Sequence, residues 1–355
     1  MWQSINLAAT APSSISNSDV KHAKFFSMFV FVAVLGYGAV GFYFLPMATF
    51  QGDLTRTGLL PESLFGWTKP QPILDAKWLQ QASMQEADVL VIGDSFSDGR
   101  VWQTVLTKHG LKVRTESWDS MRGVCVDFMP WLRAQGFAGK YVVLESIERN
   151  MADDLNRSVA CQHMQYHSNI KTDAPRYPPI ASFDVNSRNY SGKFSIGIRT
   201  QLNVWKYERL SQSPYFKTWL LPNDVKMARV VSGCDLFSHA RCEDALFLAY
   251  DKAEEIDGSV LENIEVLNAR LSGVTPIWVF VPNKSTAYLY PDKKFWNEAE
   301  RRFHATNLLQ MTQQAIRDKT VDLYTGSNTH LSITGYLKMG ELVYESMSSI
   351  KNKNK

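Results

Sequence analysis

The sequence lacks the features that mark several functional classes. Lys and Arg number 38 against 35 Asp and Glu, so the net charge is only +3 and nucleic acid is not expected as a partner. The four cysteines form no CxxC pair and no cluster with histidine, so no metal site is predicted. A glycine-rich phosphate-binding loop is also missing, and the sequence predicts no nucleotide or other cofactor.

Charge is missing altogether from residues 25–45, FFSMFVFVAVLGYGAVGFYFL. As a helix this run spans roughly 31 Å, the thickness of a bilayer's hydrocarbon core. Lys21 and Lys24 precede it, and the next basic residue is Arg56. The positive-inside rule therefore predicts a membrane anchor, with residues 1–24 in the cytoplasm and the rest of the chain exported; in a bacterium these would be the inner membrane and the periplasm.

A cleaved signal peptide is the alternative for this segment. The apolar run is longer than a typical signal core, and Pro46-Met47-Ala48 is a poor cleavage sequence, which favours an uncleaved anchor. Export would allow disulfides. Cys234 and Cys242 close a short loop and are the expected first pair, which leaves Cys125 and Cys161 for the second; four free thiols are the alternative.

The exported part divides into a stalk and a large α/β domain. Residues 46–86 contain Gly and Pro residues that break any long helix, and they are expected to form a linker. Residues 87–349 alternate apolar runs with segments of helical periodicity, which predicts a parallel sheet covered by helices on both faces. An insertion of unclear periodicity occupies about 150–256, and residues 350–355 are expected to be a disordered tail.

The individual elements of this domain can be placed from the periodicity of the sequence. Strands are expected at 89–93, 111–118, 140–146, 275–282 and 320–324, and helices at 100–109, 126–135, 258–271, 298–319 and 334–347.

The sequence Gly93-Asp94-Ser95 follows the first strand and precedes a helix. It has two interpretations, a helix cap or a nucleophilic serine at the edge of the sheet. His330 lies between the last strand and the last helix, and ligands of open α/β sheets bind at the carboxyl ends of the strands. The two residues are therefore expected to meet, with His330 as the base that activates Ser95.

Further polar groups follow the second and third strands. Gly123 ends a turn whose backbone amides are candidate donors to an oxyanion. Glu145, Glu148 and Arg149 follow the third strand, either as a pair that orients substrate or as a structural ion pair.

These motifs together resemble the SGNH/GDSL hydrolases. GDSFSDGR is similar to their first block, with Ser95 as nucleophile, and HLS..G at residues 330–335 is similar to their last. More narrowly, VFVPNKSTAYLYPD, LESIER and Y..SNTH resemble the SGNH-like domain of the periplasmic alginate O-acetyltransferases. The resemblance covers residues 87–150 and 258–347 and implies a three-layer, flavodoxin-like fold. Lys284 and Tyr290 are expected at the rim of the cleft, in contact with substrate; a surface lysine and a packed tyrosine are the alternative.

The chain departs from that pattern beside the histidine. The relatives have Asp-Thr-His where this chain has Asn328-Thr329-His330, and Ser327 occupies the position where many superfamily members have aspartate. Asn328 is therefore expected to hold the imidazole, with Asp322 or a carboxylate from elsewhere as alternatives. The family's asparagine oxyanion donor has two candidate counterparts in this chain. The candidates are Arg149 and Asn150.

The resemblance implies an O-acetyltransferase that modifies an exported polysaccharide through an acyl-serine, supplied with acetyl groups by a membrane-bound O-acyltransferase. The same acyl-serine would serve an esterase that removes acetyl groups, because the two reactions differ only in whether a sugar or water intercepts it. The missing aspartate leaves a third alternative, a non-catalytic polysaccharide-binding or assembly subunit.

Overall fold

A computed structural model describes residues 17–166, 189–251, 256, 258–292 and 294–353. Expectations that concern residues 1–16, 167–188 and 354–355 lie outside these ranges. The strands are β1 Val89–Gly93, β2 Val113–Ser117, β3 Tyr141–Ile147, β4 Thr218–Leu221, β5 Val225–Arg229, β6 Asp244–Leu248 and β7 Thr275–Val281.

The helices are named in chain order. They are α1 Asn17–Phe44, α2 Asp53–Gly58, α3 Glu62–Phe65, α4 Ser95–Asp98, α5 Gln103–Lys108, α6 Trp118–Met121, α7 Phe128–Ala134, α8 Glu148–Ala160, α9 Phe194–Ser211, α10 Gly233–Leu236, α11 Ser259–Arg270, α12 Lys284–Tyr288, α13 Lys294–Phe303, α14 Leu308–Arg317 and α15 Ile333–Lys353. Two short 3-10 helices lie at Leu45–Ala48 and Ala76–Leu79.

Four of the predicted strands form a parallel sheet in the order β2-β1-β3-β7. Alternate residues of β1 face opposite sides, so Leu90 packs in one core cluster with α7, α8 and α11, and Val91 packs in another with α5, α14 and α15. The predicted α/β class with helices on both faces is therefore confirmed. Gly93 pairs with Ser117 and Ile147 with Val281, so the carboxyl ends of all four strands lie at one edge.

Two predicted elements near the C-terminus are wrong. The helix expected at 298–319 is two helices, α13 and α14, because His304 takes a left-handed conformation (φ +53°) and the Thr306 amide donates to the carbonyl of Trp278 in β7. The strand expected at 320–324 is reduced to a bridge between Tyr324 and Leu331, since Asp322 also has a positive φ (+53°). The closing helix α15 continues to Lys353, into the tail that was expected to be disordered.

The predicted insertion holds a second structural layer. It contains α9 and a three-stranded antiparallel sheet in the order β4-β5-β6. The first part of the expected stalk packs on this layer rather than standing free. Leu54, Leu60 and Phe65 are buried in one cluster with residues of α9 and of the second sheet. This packing is favourable because it removes the apolar surface of these side chains from water. Residues 46–86 are therefore not a simple linker.

Helix α1 contains the predicted apolar run. The candidate span Val20–Ala48 has a mean hydropathy of 2.1 and only 6% of its most apolar window is buried against the rest of the chain. It is long and apolar enough to cross a membrane.

Disulfides join Cys125 to Cys161 and Cys234 to Cys242, as predicted. Disulfides persist in oxidising compartments, which fits export of this part of the chain.

The folded state of the segment that follows α1 can be tested with Leu60→Ala. Leu60 is 0% exposed, so its truncation leaves a cavity and should lower the free energy of unfolding by about 2–4 kcal/mol. Urea denaturation of the detergent-solubilised full chain, followed by tryptophan fluorescence, measures the change. Leu220→Ala is the matched control, since Leu220 is 69% exposed. Equal, small effects of both substitutions would contradict the packing described.

Candidate active site

Ser95 and His330 meet at the carboxyl edge of the parallel sheet. Ser95 is the first residue of α4, directly beyond β1, and His330 lies in the loop before α15. The Ser95 Oγ and the His330 Nε2 are 2.8 Å apart, within hydrogen-bond distance. Both side chains are partly exposed, so the pair is accessible from solvent.

The cap and nucleophile interpretations of this turn apply to different residues. Asp94 is the cap, because its Oδ1 accepts from the amide of Phe96 (2.9 Å) and its Oδ2 accepts from the amide of Ile147 (2.7 Å). These bonds fix the turn to the end of β3. They also leave the Ser95 hydroxyl to face the histidine.

The other imidazole nitrogen, Nδ1, is surrounded by oxygen atoms. The Asn328 Oδ1 lies 2.9 Å from it and also accepts from the backbone amide of His330 (3.0 Å). The Thr329 Oγ1 lies 3.1 Å away, and its own hydrogen is donated to the carboxylate of Asp53. Because these neighbours offer lone pairs, the favoured tautomer has its proton on Nδ1, and the Nε2 lone pair points at Ser95.

Asp53 supplies the carboxylate that the sequence motif lacks. Its Oδ2 is 3.6 Å from the His330 Nδ1, and its Oδ1 accepts from the amide of Thr329 (2.9 Å). Burial raises the pKa of Asp53, but the nearby imidazole of His330 and the hydrogen bonds from Thr329 outweigh it and hold the pKa below the usual range. An ionised carboxylate therefore lies beside the imidazole, ready to stabilise imidazolium.

Local sequence gives no sign of this role for Asp53. The residue begins α2, in the segment expected to be a stalk. The alternative carboxylate considered from sequence, Asp322, is wrong, because it accepts from the amide and hydroxyl of Ser238 (3.0 and 2.5 Å) instead.

Lys284 is not at the rim of the cleft. It is 2% exposed, and its ammonium group donates to the carbonyl oxygens of Thr325 (2.6 Å), Gly326 (3.0 Å) and Asn328 (3.2 Å). Burial lowers the pKa of Lys284 to about 7. Lys284 therefore holds the loop that presents His330, which is a structural contribution to the site.

Glu145 is also buried, at 0% exposure, so its predicted contact with substrate is wrong. Its Oε2 accepts from the amide of Asp94 (3.1 Å) and the hydroxyl of Ser97 (2.7 Å). A Cβ on Gly93 would lie 2.6 Å from this Oε2 and 2.3 Å from the Ser97 Oγ, so only glycine fits there. Burial, and then the charge of Asp94, raise the pKa of Glu145 well above its usual value. Glu145 therefore supports the serine turn from below, through its bonds to Asp94 and Ser97.

Three other candidates from sequence, Glu148, Arg149 and Asn150, begin α8 directly after β3. The Arg149 Nη1 donates to the Asn283 Oδ1 (3.2 Å), which joins the ends of β3 and β7, and Glu148 accepts from the amide of the same Asn283 (2.8 Å). Asn150 is exposed on α8. The oxyanion role of Arg149 or Asn150 stays a prediction.

The last two candidates lie in other surroundings. Gly123 has a φ of +136° and packs against α8, where an added Cβ would be 3.0 Å from the Cα of Ser158. Glycine is thus needed there for packing, and its oxyanion role stays a prediction. Tyr290 is 42% exposed, with the Lys226 Nζ 5.2 Å from its ring centre.

Comparison of the chain with protein-family models, with curated proteins and with solved structures found no match. Within the described residues, no group of three or more His, Cys, Asp or Glu side chains could hold a metal ion. The function has to be argued from the chemistry of the site. A serine, an imidazole and a carboxylate in this order in space can carry out nucleophilic catalysis, whatever their order along the chain.

The role of Asp53 can be tested through the reactivity of Ser95. Asp53→Asn removes the charge beside His330 and should slow labelling of Ser95 by a fluorophosphonate by roughly 100-fold. The double variant Asp53→Asn/Asn328→Asp returns a carboxylate to a position 2.9 Å from Nδ1 and should recover much of the rate. Stopped-time labelling followed by intact-protein mass spectrometry gives both rates.

Asp244→Asn is the control for that experiment, since it removes a buried carboxylate that is bonded to Tyr207 and Arg229 and does not contact the histidine. Its labelling rate should stay close to that of the wild type. Equal labelling rates for wild type and Asp53→Asn would show that Asp53 does not contribute to the reactivity of Ser95.

The protonation of Glu145 predicts a pH dependence of stability. A raised folded pKa means that the folded protein keeps a proton which the unfolded chain releases above about pH 4.5. The free energy of unfolding of the wild type should therefore fall, relative to Glu145→Gln, as the pH rises from 5 to 8. Urea denaturation of both proteins at several pH values tests this, and a pH-independent difference would contradict it.

Proposed function

We propose that this chain is a membrane-anchored acyl-transfer enzyme that moves an acetyl group onto a hydroxyl of an exported polysaccharide through an acyl-serine. The observation that carries the proposal is the contact of Ser95, His330 and Asp53. Its geometry suits the activation of a serine hydroxyl, and the serine is accessible from solvent.

In the first step the hydroxyl proton of Ser95 passes to the His330 Nε2 as Oγ attacks the carbonyl carbon of an acetyl donor. Asp53 stabilises the imidazolium that forms. The bond between the carbonyl carbon and the donor's leaving group then breaks, and His330 returns the proton to that group.

In the second step a sugar hydroxyl takes the place of the leaving group. Its proton passes to Nε2, its oxygen attacks the acyl carbon, and the Ser95 Oγ departs with the proton from His330. Water in place of the sugar gives acetate, which is the esterase alternative.

Three further features support this assignment. Helix α1 and the two disulfides suit a domain held on the outer face of a bacterial inner membrane. GDSFSDGR and HLS..G resemble motifs of the SGNH hydrolases, and the flanking motifs resemble those of the alginate O-acetyltransferases. This resemblance is the basis for proposing acetyl as the transferred group and a polysaccharide as its acceptor. By the same resemblance, a membrane-bound O-acyltransferase is the proposed acetyl donor.

The non-catalytic alternative is less well supported. It rested on the loss of the family's aspartate, and Asp53 supplies a carboxylate from another segment. A site that has lost its activity is not expected to retain a hydrogen-bonded serine–histidine pair together with that carboxylate.

The proposal predicts an acetylated serine. Full-length protein in detergent, given 4-nitrophenyl acetate, should gain the mass of one acetyl group on Ser95, and Ser95→Ala should gain none there. Ser349→Ala, which removes an exposed serine on α15, is the control and should react like the wild type. Acetylation of Ser95→Ala at the wild-type rate would contradict the proposal.

Addition of neutral and uronic-acid oligosaccharides to the acetylated protein separates the two reactions. Acetyl groups recovered on sugar support the transferase, and acetate alone supports the esterase.

A further inference from the structure

Helix α9 has two different faces. Its buried residues lie on one side, where Gly197 and Gln201 face the end of α1 and Tyr207 packs in the cluster of the second sheet. The buried residues are Gly197, Thr200, Gln201, Val204 and Tyr207. The opposite side is exposed and combines apolar with basic side chains at spacings of three and four residues. We call this set the outer face of α9, and it consists of Arg199, Leu202, Trp205, Lys206 and Arg209.

The composition of the outer face is unusual for a surface exposed only to water. Leu202 is 52% and Trp205 is 55% exposed, so two large apolar side chains are left uncovered on a domain whose other aromatic residues are mostly buried. Basic residues flank them on both sides. This combination is typical of helices that lie in the interface of a bilayer, with aromatic groups at headgroup level and Lys or Arg on the phosphates.

Helix α9 is packed directly on the end of the apolar helix α1. An added Cβ on Gly197 would lie 2.0 Å from the carbonyl oxygen of Phe44, so the two backbones touch. The Tyr43 hydroxyl donates to the Gln201 Oε1 (3.1 Å). The contact between the helices therefore combines close backbone approach with a side-chain hydrogen bond.

The ring of Phe194 fixes the depth of this contact. Its centre lies 5.8 Å from that of Phe44, at the end of α1, and 6.1 Å from that of Tyr37. Tyr37 lies two helical turns before Phe44, or roughly 10 Å deeper along α1. If α1 spans a bilayer, the beginning of α9 is at the depth of the lipid headgroups, where Tyr and Trp are enriched.

We propose that α9 lies in the interface of the bilayer that α1 crosses. Its outer face inserts Leu202 and Trp205 among the lipids, and its basic residues contact anionic headgroups. Helices α1 and α9 together hold the domain on the membrane surface. The proposal rests on α1 spanning the bilayer and not on the chemistry of Ser95.

The position of α9 also constrains the candidate active site. The Asn203 side chain donates to the carbonyl oxygens of Gly58 (3.2 Å) and Leu59 (3.1 Å), at the end of α2. Asp53 begins the same α2. An interfacial α9 therefore places the element that carries the carboxylate next to the lipid surface, and substrates must reach the site there.

Spin labelling of the full chain in nanodiscs containing anionic lipid tests the proposal. The four native cysteines are in disulfides, so a single introduced cysteine can be labelled alone. For a nitroxide at Leu202→Cys, the ratio of collisions with oxygen to collisions with a water-soluble nickel chelate should be several-fold higher than at Val266→Cys. Val266 is the matched control, a 42%-exposed apolar residue on α11, which packs on α8.

The basic residues give a second measurement. Arg199→Glu/Arg209→Glu in the Leu202→Cys background should bring the nitroxide closer to the aqueous phase in anionic nanodiscs. Equal nickel accessibility at positions 202 and 266 would overturn the proposal. Fluorophosphonate labelling of Ser95 in detergent is measured on the same variants, so loss of membrane contact can be told apart from loss of the catalytic site.

Discussion

The hydrogen bonds between Asp53 and Thr329 join two segments that are 276 residues apart in sequence. Through them the beginning of α2 is fixed against the loop that carries His330. The contact is extended by the amide of Leu54, which donates to the carbonyl of Ser327 (3.0 Å). The approach is so close that an added Cβ on Gly52 would lie 2.1 Å from that carbonyl oxygen. The loop that carries His330 contains little regular structure, and its conformation is thus fixed by contacts with the segment that follows α1.

Two opposite electrostatic arrangements support the two halves of the site. The histidine loop is held by the buried ammonium group of Lys284, which donates hydrogen bonds to three carbonyl oxygens. Burial lowers the pKa of Lys284, and the negative charges of Asp53 and Asp322 partly oppose this effect. The serine turn is held by the buried carboxyl group of Glu145, whose pKa is raised by burial and then by the charge of Asp94. Buried polar groups whose partners are backbone atoms or other buried side chains orient loops without offering a reactive group to substrate, and Lys284 and Glu145 act in this way.

Most of the parallel sheet could be predicted, because its central strands are apolar on both faces and read as continuous runs. The meeting of Ser95 and His330 followed from the same sheet, since both residues were placed beyond strand ends. Lys284 and Glu145 are buried, although the sequence predicts that they contact substrate. A sequence pattern shows that a residue follows a strand, but it does not show whether the side chain points to solvent or into the domain. Asp53 could not be found at all, since a contact so distant in sequence leaves no local pattern.

If α1 crosses a membrane, the position of Asp53 limits how far the domain can extend from it. Only residues 45–52 separate it from the end of α1, so even a fully extended chain keeps Asp53 within about 30 Å of that end. A long flexible stalk, which would let the domain reach far from the bilayer, is incompatible with Asp53 beside His330. Release of the segment after α1 would remove the carboxylate from the imidazole together with the buried side chains of Leu54 and Leu60. The connection to α1, folding of the second layer and assembly of the candidate site therefore depend on the same short stretch of chain.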